Sequence, residues 1–231
     1  MENKKRQVKP IYYGLLSIFT LINTLMTLRA FMHFPYHRLI THETLWSFYL
    51  STLYLSAIFI SDTNLFLFKS TSLEKFNSFI RNKFSVIAYS FCYTITIEFW
   101  LILFTGITFG KNPFSEGKNV SKEFLFDALY LHLGIFIIIV IDLFCTKRKL
   151  VENKILLFII NFIFCCYCVV VLWTNYVLLK PAYPFMKNAG INVMFLTFII
   201  SLIIINSCYY LHLYLVKIIN KDDKIIEKKI I

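Results

Sequence analysis

The feature that most constrains this chain is the recurrence of apolar runs long enough to cross a bilayer. Six windows, roughly 11–31, 45–68, 84–109, 124–146, 155–179 and 190–218, each hold about 20 mainly apolar residues, the length an α-helix needs to span ~30 Å of hydrocarbon. Gly, Pro and charge gather between them, most clearly in GKNPFSEGKNVSKE, residues 110–123. The first window is too long for a simple secretory leader and lacks a small-residue cleavage site. No internal repeat and no separate soluble domain interrupts the series. The expected fold is therefore all-α: a polytopic membrane protein of six transmembrane helices. It forms one domain over residues 1–231, with short cytosolic tails at about 1–10 and 219–231.

Composition agrees with lipid as the solvent. Hydrophobic residues make up 58% of the chain, Phe alone occurs 25 times, and mean hydropathy is +0.67. The net charge of +11 would suit nucleic acid if it formed a patch. It does not, because the basic residues fall in short clusters between apolar runs, and nucleic acid is excluded as a partner. With alternating spans, seventeen of the 24 Lys and Arg residues lie on one side and seven on the other. By the positive-inside rule, both termini are expected in the cytosol. The sequon at Asn119 then faces the opposite side, where glycosylation is possible. The six cysteines show neither zinc nor redox spacing and read as small buried hydrophobes.

Polar groups inside a membrane are costly, so each needs a partner or a task. His132, in LYLHLGIFIIIVI, lies about eight residues into the fourth span, roughly 12 Å deep from the non-cytosolic side. Ser51 lies about six residues into the second span, roughly 9 Å from the same side. Glu98, Trp100 and Trp173 fall in the same layer by their positions in spans three and five. Within span two, Ser47, Ser51 and Tyr54 repeat at i, i+4 and i+7, and Asp62 continues that face. Thr52 is rotated by about 100°. Two readings fit these hydroxyls. Ser and Thr in membrane helices bond back to their own helix or across to another, or one of them is a nucleophile activated by the histidine. Asp142 is about 15 Å along the helix from His132 and on another face, so it does not orient that ring. An interhelical partner or a group at the cytosolic end is expected of it. Asn206 either hydrogen-bonds near the site or joins two helices, and the second is the expectation.

Several short elements, taken together, carry a resemblance. They are WSFYLSTLYL from Trp46, the Phe99–Trp100 pair, and LHLGIFIIIVID with His132 ten residues before Asp142. Trp173 stands ten residues ahead of the Tyr183-Pro184-Phe185 triplet, and Asn206 follows it. In order and in most spacings, from about residue 45 to 218, the chain resembles the androgen-induced / androgen-dependent TFPI-regulating protein family of six-span membrane hydrolases. The resemblance implies an integral-membrane hydrolase of fatty acid esters of hydroxy fatty acids, acting through a threonine nucleophile and a histidine. The histidine corresponds to His132. The threonine corresponds to Ser51, because Tyr49-Leu50-Ser51 matches a Tyr-Leu-Thr element, a departure that keeps the hydroxyl. One extra residue follows Trp46, and Thr52 would keep the residue type, so Thr52 is the alternative nucleophile.

A hydroxyl becomes an effective nucleophile when a neighbouring base takes its proton, and His132 would fill that role and later protonate the leaving alcohol. No cofactor is implied. No metal is needed, and His33, His37, His42 and His212 show no convergent ligand spacing. The expected partners are the lipid bilayer and a lipid ester substrate. The resemblance places the chain in endoplasmic reticulum, other endomembranes or the plasma membrane. The rival classes are a small transporter, in which Glu98, His132 and Asp142 mark an ion path, and a non-catalytic membrane scaffold. Repeated halves and paired broken helices, the marks of many transporters, are missing from the sequence.

Overall fold

The computed structural model describes residues 10–33, 43–68, 71–108, 130–146, 148–149, 153–180 and 190–229. Helix α1 (Pro10–His33) starts on a proline, whose missing N–H costs nothing in a first turn. Helix α2 (Glu43–Phe68) opens with an acidic residue that complements the helix dipole. Helix α3 (Thr71–Phe79), a π-helical segment (Ile80–Phe84) and α4 (Ser85–Thr108) run on without a break. A second π-helical segment (Tyr130–Gly134) leads into α5 (Ile135–Cys145). Helix α6 (Lys154–Leu172) is capped by the Asn153 side chain, which accepts from the Ile155 N–H at 2.8 Å. It ends in a third π-helical segment (Trp173–Val177), and α7 (Ile191–Lys229) completes the described chain.

The all-helical fold agrees with the sequence reading, and the helix bounds refine it. Residues 71–83, read as a connection between spans, are helical and lengthen the third span's rod toward the connection. Helix α7 continues eleven residues past the expected end of its span, into the expected tail. Among the described residues, four helical stretches are long and apolar enough to cross a membrane: Glu43–Asn64, Thr71–Ile102, Lys154–Val177 and Ile191–Asn220. A shorter apolar helix covers Tyr130–Cys145.

Helix α4 is the hub. It packs against α2, α5, α6 and α7, and 72% of its apolar window is buried, against 22–44% for the other three. A helix apolar all round belongs in an interior. The outer faces of α1, α6 and α7 instead present Leu21, Met32, Phe158, Phe162, Val169 and Ile203. So broad an apolar surface would be an aggregation liability in water and is the natural surface for lipid.

Candidate functional site

Ser47, Ser51, Tyr54 and Asp62 are all buried, so the polar stripe of α2 does face the bundle interior, with Ser51 fully enclosed and Thr52 half-buried. The Ser51 and Thr52 hydroxyls make no hydrogen bond with any described residue. Tyr49 and Ser61 on the same helix share this state, but several other hydroxyls do not. Thr63, Ser90, Thr94 and Thr96 each donate to the carbonyl one turn back, the usual resting place for a hydroxyl in an apolar helix. A buried hydroxyl left unpaired costs about 1–3 kcal/mol, so Ser51 and Thr52 hold hydrogen-bonding capacity that the fold does not use.

His132 sits in the π-helical segment at the head of α5, the kind of local underwinding often found at functional positions. Three contacts fix it. Its ring stacks on Phe99 with centroids 4.0 Å apart and planes 14° from parallel. A ring N–H is directed to the Ile95 carbonyl. Its own carbonyl accepts from the Thr96 hydroxyl at 2.7 Å, a donor that also reaches the Cys92 carbonyl at 2.9 Å. The ring nitrogen Nδ1 has no partner among the described residues. Gly134 makes the segment possible. A Cβ there would stand 2.9 Å from Cδ2 of the Tyr130 ring, whose hydroxyl donates to Asn23 Oδ1 on α1 at 2.6 Å.

Cross-helix contacts set the relative heights. Tyr54 meets Tyr89, and Asp62 bonds Arg81, so α2 and the α3–α4 rod run antiparallel. Thr96 meets His132 and Tyr93 meets Phe136, so α4 and α5 do too. Ser51 is then level with about Cys92, and His132 with about Thr96 to Phe99. The offset is about five residues, roughly 7–8 Å of helix rise. The two residues thus lie on elements that pack together, but no hydrogen bond joins them.

Other residues singled out in the sequence take definite places. The Glu98 and Glu43 carboxyls hydrogen-bond to each other, and Ser201 on α7 bonds Glu98. Trp173 turns its ring to the outer surface of the bundle, and Thr174 and Asn175 face inward instead. A π-helical turn there shifts the register by one residue. Among the described residues, Asn206 makes no hydrogen bond to another helix. Its amide donates to the Leu202 carbonyl of its own helix at 2.7 Å. Among the cysteines, Cys92 and Cys208 are buried, but Cys145 and Cys165 are exposed on the apolar surface, where lipid makes burial unnecessary. The Asn119 sequon, His37, His42 and the Tyr183-Pro184-Phe185 triplet lie outside the described residues.

Asp142 is an interhelical partner on a larger scale than its position suggested. Its carboxylate accepts from Tyr12 on α1, Tyr54 on α2, Tyr89 on α4 and Arg148. Arg148 also donates to the Tyr54 and Tyr89 hydroxyls, both at 2.7 Å, and to the Arg81 carbonyl at 2.9 Å. Burial alone favours the neutral guanidine, but Tyr54, Tyr89 and Asp142 more than reverse this and hold Arg148 well above its ordinary pKa. In the sequence Arg148 counted only toward the charge asymmetry of the spans. Its place six residues after an intramembrane acid was the available signal. The Asp142 network sits on the far side of Ser51 from His132, so it braces the bundle and does not orient the imidazole.

Among the described residues, no three His, Cys, Asp or Glu side chains gather in metal-ligating geometry. No curated protein and no solved structure matches the chain. One family model does: that of the FAR-17a/AIG1-like proteins, over residues 15–217 of the 231. That match covers α1 through most of α7, including Ser51, His132 and every member of the Asp142 network except Tyr12, and on it the chain belongs to the FAR-17a/AIG1-like family of membrane proteins.

Proposed function

We propose that this protein is an integral-membrane ester hydrolase acting on lipid esters, with fatty acid esters of hydroxy fatty acids as the substrate class, Ser51 as nucleophile and His132 as base. The observation that carries the reading is the pair of unspent polar groups. A fully buried Ser51 hydroxyl and the His132 Nδ1 both lack partners on neighbouring elements of a bundle that satisfies most of its other hydroxyls. The axial offset between them implies a relay. One water bonded to Ser51 Oγ and His132 Nδ1 would carry the proton to the imidazole as Oγ attacks the ester carbonyl. The imidazolium would return it to the departing alkoxide, and a second water would release the fatty acid from the acyl-enzyme. Six spans with both ends cytosolic, the topology favoured by the Lys and Arg distribution, would place the site in the non-cytosolic half of an endomembrane or plasma membrane.

One observation favours a non-catalytic scaffold. The His132 ring is stacked face to face on Phe99, an arrangement that packing alone explains. Labelling the detergent-purified protein with a fluorophosphonate separates the two. The hydrolase reading expects labelling of the wild type and its loss in Ser51→Ala and His132→Ala. Labelling lost in Thr52→Ala and kept in Ser51→Ala would move the nucleophile one residue on. A folded wild type that takes no label is a scaffold.

A further inference from the structure

A groove of about 410 Å³ opens on the outer surface of the bundle where α4, α5 and α7 meet. The surface it presents is almost entirely hydrocarbon and aromatic carbon. Ile97, Leu101 and Phe104 form the lip on α4, and all three are exposed toward the surroundings of the bundle. Val140 on α5 and Leu211 on α7 form the facing walls. The inner wall is Tyr93 and Thr96, and these two residues set its position relative to the candidate site. Tyr93 follows Cys92, the level of Ser51, and Thr96 is hydrogen-bonded to His132 itself. The groove therefore runs past the heights of both groups and opens sideways on the apolar surface of the bundle.

We propose that this groove is a lateral acyl-chain channel, which takes one hydrocarbon chain of a lipid ester from the bilayer and holds it while the ester bond lies at the height of Ser51 and His132. The proposal rests on the hydrolase reading and adds to it where the substrate's chain binds and by what path it arrives. The occupant follows from the surroundings. A groove whose accessible surface is almost wholly apolar offers nothing to a headgroup, peptide or sugar, whereas an alkyl chain fills it without desolvating a polar group. Its open side lies on the apolar surface that lipid covers, so a chain reaches it without crossing water. Continuity with Thr96 and His132 separates it from an ordinary lipid-facing furrow: a chain seated there is held against the residue that fixes the histidine backbone.

Two measurements on the full-length protein in lipid nanodiscs test it. In the first, a long-chain fatty acid carrying a photoreactive diazirine is crosslinked and the adducts are mapped. The channel expects adducts on α4, α5 and α7 around Ile97, Val140 and Leu211, reduced by excess unlabelled fatty acid. Adducts spread evenly over lipid-facing positions such as Ile18 and Leu21 of α1 would mean annular lipid only and overturn the proposal. In the second, the ratio of long-chain to short-chain ester turnover is compared among variants. Val140→Trp fills the groove and should lower that ratio by about tenfold or more; Ile97→Ala widens it and should move the preference toward bulkier chains. Ile18→Trp, outside the groove, should leave the ratio unchanged. An unchanged ratio in Val140→Trp and Ile97→Ala refutes the channel while the hydrolase stands. Groove adducts on a wild type that takes no fluorophosphonate refute the hydrolase reading instead, and with it the channel's catalytic role.

Discussion

Replacing Asp142 by Asn removes one buried charge and almost no volume, so its cost isolates the electrostatics of the network. The wild-type carboxylate accepts from Tyr54, Tyr89 and Arg148 on Oδ2 and from Tyr12 on Oδ1. An asparagine can keep the Oδ2 arrangement with its carbonyl oxygen and turn its amide toward Tyr12, whose hydroxyl rotates to accept. What it cannot supply is charge. Arg81 retains Asp62, but Arg148, buried to 5% exposure, loses the one carboxylate it pairs with among the described residues. Stranding a buried charge typically costs about 3–5 kcal/mol. At about 2–4 °C of melting temperature per kcal/mol for a chain of this size, the loss is roughly 6–20 °C. The assay is thermal unfolding of the full-length protein in detergent, with size-exclusion chromatography to confirm that the variant is folded at the start. The double variant Asp142→Asn/Arg148→Met no longer buries an orphan cation. It should therefore lose less than the sum of the single losses, by about 0.5–3 kcal/mol. A melting temperature within about 2 °C of wild type for Asp142→Asn, or strict additivity in the double variant, would refute the view that these charges depend on one another.

Other perturbations follow from the same contacts. Gly134→Ala drives a methyl against the Tyr130 ring and should cost about 1–3 kcal/mol, with fluorophosphonate labelling falling alongside melting temperature because the His132 segment is displaced. Phe99→Leu keeps apolar bulk but removes the flat support under the imidazole. It should reduce ester turnover more than it reduces melting temperature, and parallel losses would mean that the stack is packing only. Glu98→Gln preserves a hydrogen bond to Glu43 and to Ser201 and should stay close to wild type in thermal unfolding, whereas Glu98→Ala strands both partners and should cost about 1–3 kcal/mol. A Gln variant as damaged as the Ala variant would show that the pair needs a charge.

The sequence by itself determined the all-helical membrane fold, because a run of apolar residues has one stable form in lipid: a helix that satisfies its own backbone. It also placed Ser51 on the inward face of α2, since the i, i+4, i+7 repeat of polar residues is a local property of one helix. Asp142 could be read as an interhelical group because an intramembrane carboxylate must find a partner. Which partner was beyond reach. Tyr12, Tyr54 and Tyr89 are separated from Asp142 by 130, 88 and 53 residues, and no periodicity encodes contacts between segments so far apart. In the sequence Arg148 counted among the loop charges beyond a span, and only the tertiary structure turned its side chain inward. The same limit holds for the candidate site. Residue types pointed to Ser51 and His132, but the stack on Phe99, the π-helical turn allowed by Gly134 and the five-residue offset between the two groups come from how three helices pack. Depth in a membrane follows from counting residues along one helix. The distance between two side chains depends on crossing angles and register, which the tertiary structure alone decides.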